Sequence, residues 1–506
     1  MSASSEKKRR LAEREQGIDK RAEAQREAEA KAKKSQLKWR LGTAAIALFV
    51  VLSIVLNTSL PFQLTAVKVG NTSYSAAEMN YFYNNAYYDN SSYMSMFGVS
   101  SSLPLDSQEC MLLEEGTWHD YLLQQATSSA QGLEAIYQAA VAAGFEMSDE
   151  AQEAVDTTME SLPEYAEQYG YKNVDKYLQA VYGSGITEEI VREMITKGNL
   201  ANEYANSVAE SFTYSDDELM AYYEEHIDEF VTYDYQYYYI AAETESVTDE
   251  EGNTTSQVVE GGVDAAKAEA EKIAAKVTDA DSFAAAVAEY SEGATVQNLT
   301  GYPKGSINSS FSEWIVAEGR TAGDVTVAAS DNGAYVVMYA GMDDNMYNGL
   351  NMRHILIKAV DEDGDGVYSD EEKAAAEKTI KEIEAMWLAG EQTEEAFAAL
   401  AEAYSEDAGS VSVGGLYEGI GKGDMVTEID EFLFANGRQV GDTAILHGNN
   451  GYYDGYHLVY FAGTSRDYRL TLAENAKVEE DYEAWEDELI AGCTVSTGMG
   501  YNLIGK

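Results

Sequence analysis

FAAAVAEYSE, from Phe283 to Glu292, returns as FAALAEAYSE from Phe397 to Glu406, with Ser291 and Ser405 standing 114 positions apart. Apolar residues at three- and four-residue spacing make each copy an amphipathic helix. The flanks repeat as well. A strand-like run precedes each copy, YQYYYIAA from Tyr235 and MRHILIKA from Met352, and a second run follows each at a distance, GAYVVMYAG from Gly333 and GYHLVYFAG from Gly455. Two strand–helix–helix–strand units therefore stand in tandem, and repetition of that kind is a specific signal. One Ala/Glu-rich helix can echo another by chance, but not with its flanking strands in the same order.

Upstream, AVKVGNTSYSAAEMNYFYNNAY (66–87) reads as a short strand, Ala66 to Val69, a Gly-Asn turn, and a helix capped by Ser75 with Glu78 at its third position. From Thr117 to about Phe212 the spacing is helical, with Pro163, Gly170 and Gly183-Ser184-Gly185 as punctuation. YSDDELMAYYEEHIDEF (214–230) reads as one more helix, capped at Ser215. Downstream, Asp467 to Lys506 holds a helix around Glu474 to Ile490 and an extended end containing Val495. That tail is too short to be a domain and must dock on something.

Charge is spread unevenly over the 506 residues. Residues 1–40 carry 13 Lys and Arg against 7 Asp and Glu, a net of +6, which leaves −60 on the remainder of a chain whose total is −54. So acidic a body repels phosphates and argues against nucleic acid. Cys110 and Cys493 are the two cysteines, in neither CxxC nor zinc spacing, so this is no disulfide scaffold, although one bridge between them is allowed. Leu41 to Leu56, LGTAAIALFVVLSIVL, is free of charge, and with Asn57 to Phe62 it reaches the length of a membrane span. Lys31, Lys33, Lys34, Lys38 and Arg40 precede it, which keeps the N-terminus cytoplasmic and places the bulk of the chain outside the cell membrane. A cleaved signal peptide fits less well, because the basic leader is long and no A-x-A site follows.

The second repeat, over about 350–465, resembles the parvulin (PpiC-type) prolyl isomerases. The resemblance rests on RHILIK (Arg353 to Lys358), FAALAEAYSEDAGS with the following VGG (Phe397 to Gly415), GKGDMVTEIDEFLFANGRQVGD (Gly421 to Asp442) and GYHLVYF (Gly455 to Phe461), in that order. It implies a four-stranded antiparallel sheet with flanking helices and a site on the sheet. His354 and His457 match the paired histidines at its centre, and Asp407 stands where the family carries Cys or Asp. Met425, Ile429 and Phe434 match the proline pocket, Ile429 replacing a common Phe and making that wall smaller. The 63–232 region, with its AVKVGNTSYSAAE start and YSDDELMAYYEEHIDEF helix, resembles the chaperone domain of SurA/PrsA-like proteins. In that family the segment after the last isomerase unit packs back on the N-terminal domain, which would bring Cys493 towards Cys110. In the first repeat Tyr237, Tyr335 and Gly293 replace His354, His457 and Asp407, so that copy reads as silent.

The chemistry asks for little more. The barrier to rotation about a prolyl amide comes from resonance, and no bond need break. An apolar cup for the ring and a polar field at the rotating carbonyl suffice, so no cofactor is required. A separate motif, DEDGDGVYSDEE (361–372), fits a calcium loop, with Asp361, Asp363, Asp365, Val367, Ser369 and Glu372 as ligands at positions 1, 3, 5, 7, 9 and 12 and Gly366 at the turn. No helix precedes it, so it would be a solitary site, and an acidic surface loop is the alternative.

The expected fold is α+β: a cytoplasmic segment 1–40, a span 41–62, a helical chaperone domain 63–232, a degenerate parvulin copy 233–343, an isomerase copy 350–465 and a tail 466–506. The expected function is a membrane-anchored foldase, isomerase and chaperone together, for unfolded or newly secreted proline-containing polypeptides. A non-catalytic holdase is the first alternative, and a calcium-dependent surface or adhesion protein the second.

Overall fold

The computed structural model describes residues 4–12, 59–248, 254–361, 364, 366–449, 451 and 453–506. The expected span at 41–62 lies outside them except for its end. There Leu60–Gln63 form a 3₁₀ turn, and Phe62 packs on the core that follows. Among the described residues no helix is long and apolar enough to cross a membrane.

The chain divides into two compact units, one ending at Phe212 and completed by Asp481–Lys506, the other Thr213–Glu480. In the first, β1 (Thr65–Val69) and β2 (Thr72–Ser75) form a hairpin at Gly70, whose positive φ of 55° suits a glycine. Ser75 and Glu78 close a capping box on α1 (Ala76–Met96), and Thr117 with Asp120 does the same for α2 (Trp118–Ala143). The layer continues with α3 (Asp149–Gln168), α4 (Val174–Tyr182) and α5 (Glu188–Ser211). The tail supplies a third strand, Val495–Thr497, antiparallel to β1, and Ile504 is fully buried in the core with Val67, Met79 and Leu122. Cys110 and Cys493 belong to this same core and are free thiols.

Pro163 does not end a helix as its sequence position suggested; it lies inside α3. It sits on the exposed side, while Val155, Met159, Leu162 and Ala166 bury the opposite stripe, and that packing offsets the backbone bond a proline cannot make.

The second unit opens with α6 (Asp216–Glu225) and α7 (Ile227–Phe230), two helices broken at His226 where one was expected. Its first repeat comprises β3 (Thr232–Ala241), a hairpin of β4 (Thr244–Thr248) and β5 (Thr254–Val258) that the sequence did not announce, α8 (Gly262–Ala274), α9 (Ala280–Tyr290), β6 (Gln297–Pro303), α10 (Ser312–Ile315), β7 (Val325–Ser330) and β8 (Gly333–Asp343). The second runs β9 (Asn348–Lys358), α11 (Asp370–Ala389), α12 (Glu394–Tyr404), β10 (Leu416–Ile420), α13 (Thr427–Leu433), β11 (Thr443–Asn449) and β12 (Asp454–Asp467), and α14 (Tyr468–Gly492) follows it. α14 thus starts six residues before the Glu474 expected from sequence.

Both repeats form a four-stranded antiparallel sheet of one topology, β6-β3-β8-β7 and β10-β9-β12-β11. In the second, alternation splits β9 and β12 between two cores. Ile355, Ile357, Leu458 and Tyr460 pack with Ile380, Ile383 and Phe397 of α11 and α12. Leu350, Met352, Val459 and Phe461 pack with Ile429, Phe432 and Leu433 of α13. The repeats also share a local device: Arg320 stacks on Trp314 at 4.1 Å and donates to its carbonyl, as Arg438 does with Phe432 at 3.7 Å.

Candidate functional site

His354 and His457 have the same strand parity as Met352 and Val459, so both project from the α13 face, at the centre of the sheet. They are buried, at 6% and 2% exposure. His354 pairs in register with Val459 and His457 with Leu356, a diagonal that sets the two rings nearly parallel, with centroids 5.3 Å apart. Their Nδ1 atoms lie 3.1 Å apart.

Asp407 reaches them from the turn after α12. Where β10 stops, the Ser405-Glu406 segment continues the pairing along β9. Glu406 N–H donates to the Leu356 carbonyl at 2.8 Å, and the Glu406 carboxylate accepts Lys358 N–H at 2.7 Å. This pins Asp407 with its Oδ2 2.8 Å from His354 Nε2. The Gly-Gly of the motif has a steric reason. Gly415 has φ +72°, its carbonyl accepts His354 N–H at 2.9 Å, and a Cβ there would lie 2.2 Å from the His354 carbonyl. Gly448 on β11 plays a similar part, since a Cβ on it would lie 2.8 Å from His457 Nε2.

Three residues that sequence reasoning did not single out complete the network. Ser410 Oγ and Tyr417 OH donate to Asp407 Oδ2 at 2.5 and 3.0 Å, and Tyr453 OH lies 3.0 Å from His457 Nε2. Ser410 closes the EDAGS motif and was within reach of a sequence argument. Tyr453, in the turn between β11 and β12, carries no such signal.

The contacts place one proton on the Asp407 side of the pair. Asp407 is held well below the usual carboxylate range, first by the hydrogen bond from His354 and then by that from Ser410, against the effect of burial. An ionised Asp407 accepts, so His354 Nε2 carries a proton, and a single proton lies between the two Nδ1 atoms. Tyr453, His457, His354 and Asp407 thus form one hydrogen-bonded chain. Burial, and next the neighbouring His354, pushes the His457 pKa down to about 3.

Beside the histidines the same face is apolar. Met425, Val426, Phe434 and Leu446 are half-buried around the α13 core, and Phe434 stands edge-on to Tyr347 at 5.7 Å. Of the three residues expected to form a proline cup, Met425 and Phe434 lie at this partly open surface. Ile429 is 2% exposed and belongs to the core beneath, because it falls on the inward side of α13.

In the first repeat, Tyr237 pairs with Val337 and Tyr335 with Tyr239, the same diagonal that His354 and His457 make. Their rings meet edge to face at 5.8 Å, in a cluster with Phe311 and Tyr235. Gly293, in the turn after α9, has φ +80°. An aromatic stack thus occupies the place of the imidazole–carboxylate chain.

In the acidic loop, Asp361 accepts N–H bonds from Gly364 at 2.8 Å and Gly366 at 2.9 Å. Ser369 and Glu372 form the capping box of α11. Asp363 and Asp365 lie outside the described residues. Among the described residues no cluster of His, Cys, Asp or Glu is placed to hold a metal.

Residues 339–459 match the family model of the PPIC-type PPIASE domain, so the chain carries a domain of the rotamase kind, spanning His354, Asp407 and His457. Among solved structures, the peptidylprolyl isomerase PrsA of Bacillus anthracis is similar at 17% identity and a TM-score of 0.19, over 29% of this chain and 59% of that one. The chain therefore spans less than two thirds of that structure. The foldase protein PrsA of Streptococcus pneumoniae is similar at 11% identity and a TM-score of 0.22, over 76% of this chain and 93% of that one. One chain from the work on PEB4 and Cj1289, two SurA-like chaperones of Campylobacter jejuni, is similar at 14% identity and a TM-score of 0.16, over 39% of this chain and 71% of that one. No curated protein matches the chain.

Proposed function

We propose that the protein is a membrane-anchored, extracytoplasmic foldase: a peptidyl-prolyl cis/trans isomerase joined to a chaperone for unfolded, newly secreted polypeptides. The observation that carries this reading is the buried His354–His457 pair held on ionised Asp407 beside an apolar wall. A planar amide is more polar than a twisted one, so an apolar surface that desolvates the prolyl bond favours the twisted state. Met425 and Phe434 hold the proline ring, with Ile429 supporting them from beneath, while the Asp407–histidine chain sets the field at the rotating carbonyl. The first repeat keeps the fold without the chain, and serves client contact or spacing.

The apolar run at 41–62 anchors the protein in the cell membrane with 1–40 inside, and the acidic remainder works outside without nucleic acid. The loop 361–372 takes calcium as an accessory ion. A holdase without catalysis is the second reading. It is favoured by the ring nitrogens, all four of which are engaged in contacts that also hold the sheet together.

The full chain in nanodiscs, added to the refolding of an unfolded protein limited by proline isomerisation, tests the two readings together. Faster refolding with less aggregation supports the foldase. Less aggregation with an unchanged slow phase supports the holdase. Neither effect refutes both.

A further inference from the structure

We infer that a tyrosine patch on the first unit is a docking surface for basic, extended segments of unfolded polypeptide. Tyr177 of α4 is its centre. Three rings surround it: Tyr169, stacked at 5.9 Å with an interplanar angle of 6°, Tyr171 at 5.7 Å and Tyr165 at 6.5 Å. Tyr88 of α1 touches the same helix, its hydroxyl donating to the Val181 carbonyl at 3.3 Å. Tyr177 packs on the core of Leu162 and Leu178, and the rings around it are exposed. Tyr169 is 63% exposed, Tyr88 51% and Tyr165 44%. A contiguous apolar surface left in water on a folded unit marks an interaction site more often than scattered rings do. Tyrosine is suited to it, because few rotors are frozen on binding and the hydroxyl stays wet.

Charge chooses the occupant. Tyr165 lies on α3, which carries seven Asp and Glu and no Lys or Arg. Asp156, one of the seven, is paired with Arg192, and the others have no ion pair among the described residues. Lys172 and Lys176 stand in the same segment as Tyr171 and Tyr177, but α3 as a whole is acidic, and phenol faces with Glu164 and Glu167 flanking Tyr165 in sequence favour Lys and Arg. The chain uses the pairing elsewhere: Lys197 sits over Tyr74 and Tyr137 at 5.4 and 5.3 Å, and Lys477 over Tyr214 at 5.2 Å. A run of exposed rings shared by two helices suits an extended chain better than a compact small molecule.

This assignment rests on the chaperone half of the proposed function and is independent of the histidine site. The test uses a labelled, unstructured Gly/Ser/Pro peptide with interspersed lysines, and its twin with glutamates, titrated against the full chain in nanodiscs by fluorescence anisotropy. The lysine peptide binds, and binding weakens with salt; the glutamate peptide does not bind. Tyr169→Ser with Tyr171→Ser, both exposed, weakens binding roughly five- to tenfold with an unchanged melting temperature. Tyr169→Phe keeps it, and Glu164→Gln with Glu167→Gln weakens it. Equal binding of the two peptides, no binding of either, or full affinity in the Tyr169/Tyr171 double variant overturns the assignment. Suppression of client aggregation by that variant at wild-type level would overturn the patch while leaving the chaperone reading intact; failure of the wild-type protein to suppress aggregation would instead remove the reading itself.

Discussion

The Nδ1 atoms of His354 and His457 lie 3.1 Å apart and share a single proton, while His354 Nε2 is turned to Asp407 at 2.8 Å. A second proton would set two N–H groups against each other inside the sheet. The relationship has measurable consequences.

His457 gives the protein an acid-sensitive element. Its folded pKa, about 3, lies below the ordinary histidine value of 6.5, so above pH 6.5 its contribution is fully present. As pH falls from 6.5 towards 3, the unfolded chain takes up a proton that the folded one refuses, and stability drops by up to about 1.4 kcal/mol per pH unit. Asp407 adds a loss only below its ordinary 3.8, because its folded value is depressed. Melting curves between pH 7.5 and pH 4.5 should show wild type losing more stability than His457→Gln.

Gly448→Ala tests how tightly the histidine is held. The added methyl group would press on His457 Nε2, the atom 3.0 Å from Tyr453 OH. The expected cost is about 1–3 kcal/mol, with a fall in isomerase activity. Chemical denaturation and a peptide assay measure the two effects.

Gly415→Ala should be harsher. It combines a positive φ with a Cβ 2.2 Å from the His354 carbonyl, and about 3 kcal/mol or more is expected. Gly423→Ala, also at positive φ but with open space around it, separates backbone strain from contact and should cost about 1 kcal/mol.

Calcium at ten times its dissociation constant should stabilise the protein by about 1.4 kcal/mol if the 361–372 loop binds it. Asp361→Asn should abolish the gain, and magnesium should give less. A melting temperature unmoved by millimolar calcium would remove the metal site and, with it, the surface-adhesion reading.

The sheet repeats were legible because their strands alternate, and because glycines and capping residues mark the ends of their elements. The Ser75–Glu78 and Ser215–Glu218 boxes form as written in the sequence. Two features escape. The extended end at Val495 and the tail's return to the N-terminal domain are expected, but not that Val495–Thr497 pairs with β1 from more than 400 positions away, since no local pattern encodes a partner so distant. Tyr453 belongs to a turn whose chemistry depends on where the strands fold it. Ile429 was misplaced for a related reason: sequence position ranks it with Met425, but the helical period turns it inward.

The central claim is catalysis at the histidine pair, and the most direct test is the rate of cis/trans exchange of a prolyl peptide, measured by NMR with the full chain in nanodiscs. Wild type should accelerate exchange, and Asp407→Ala with His457→Ala should lose at least about tenfold of that acceleration while remaining folded. Exchange at the uncatalysed rate with folded wild-type protein, or undiminished catalysis in the double variant, would contradict the account.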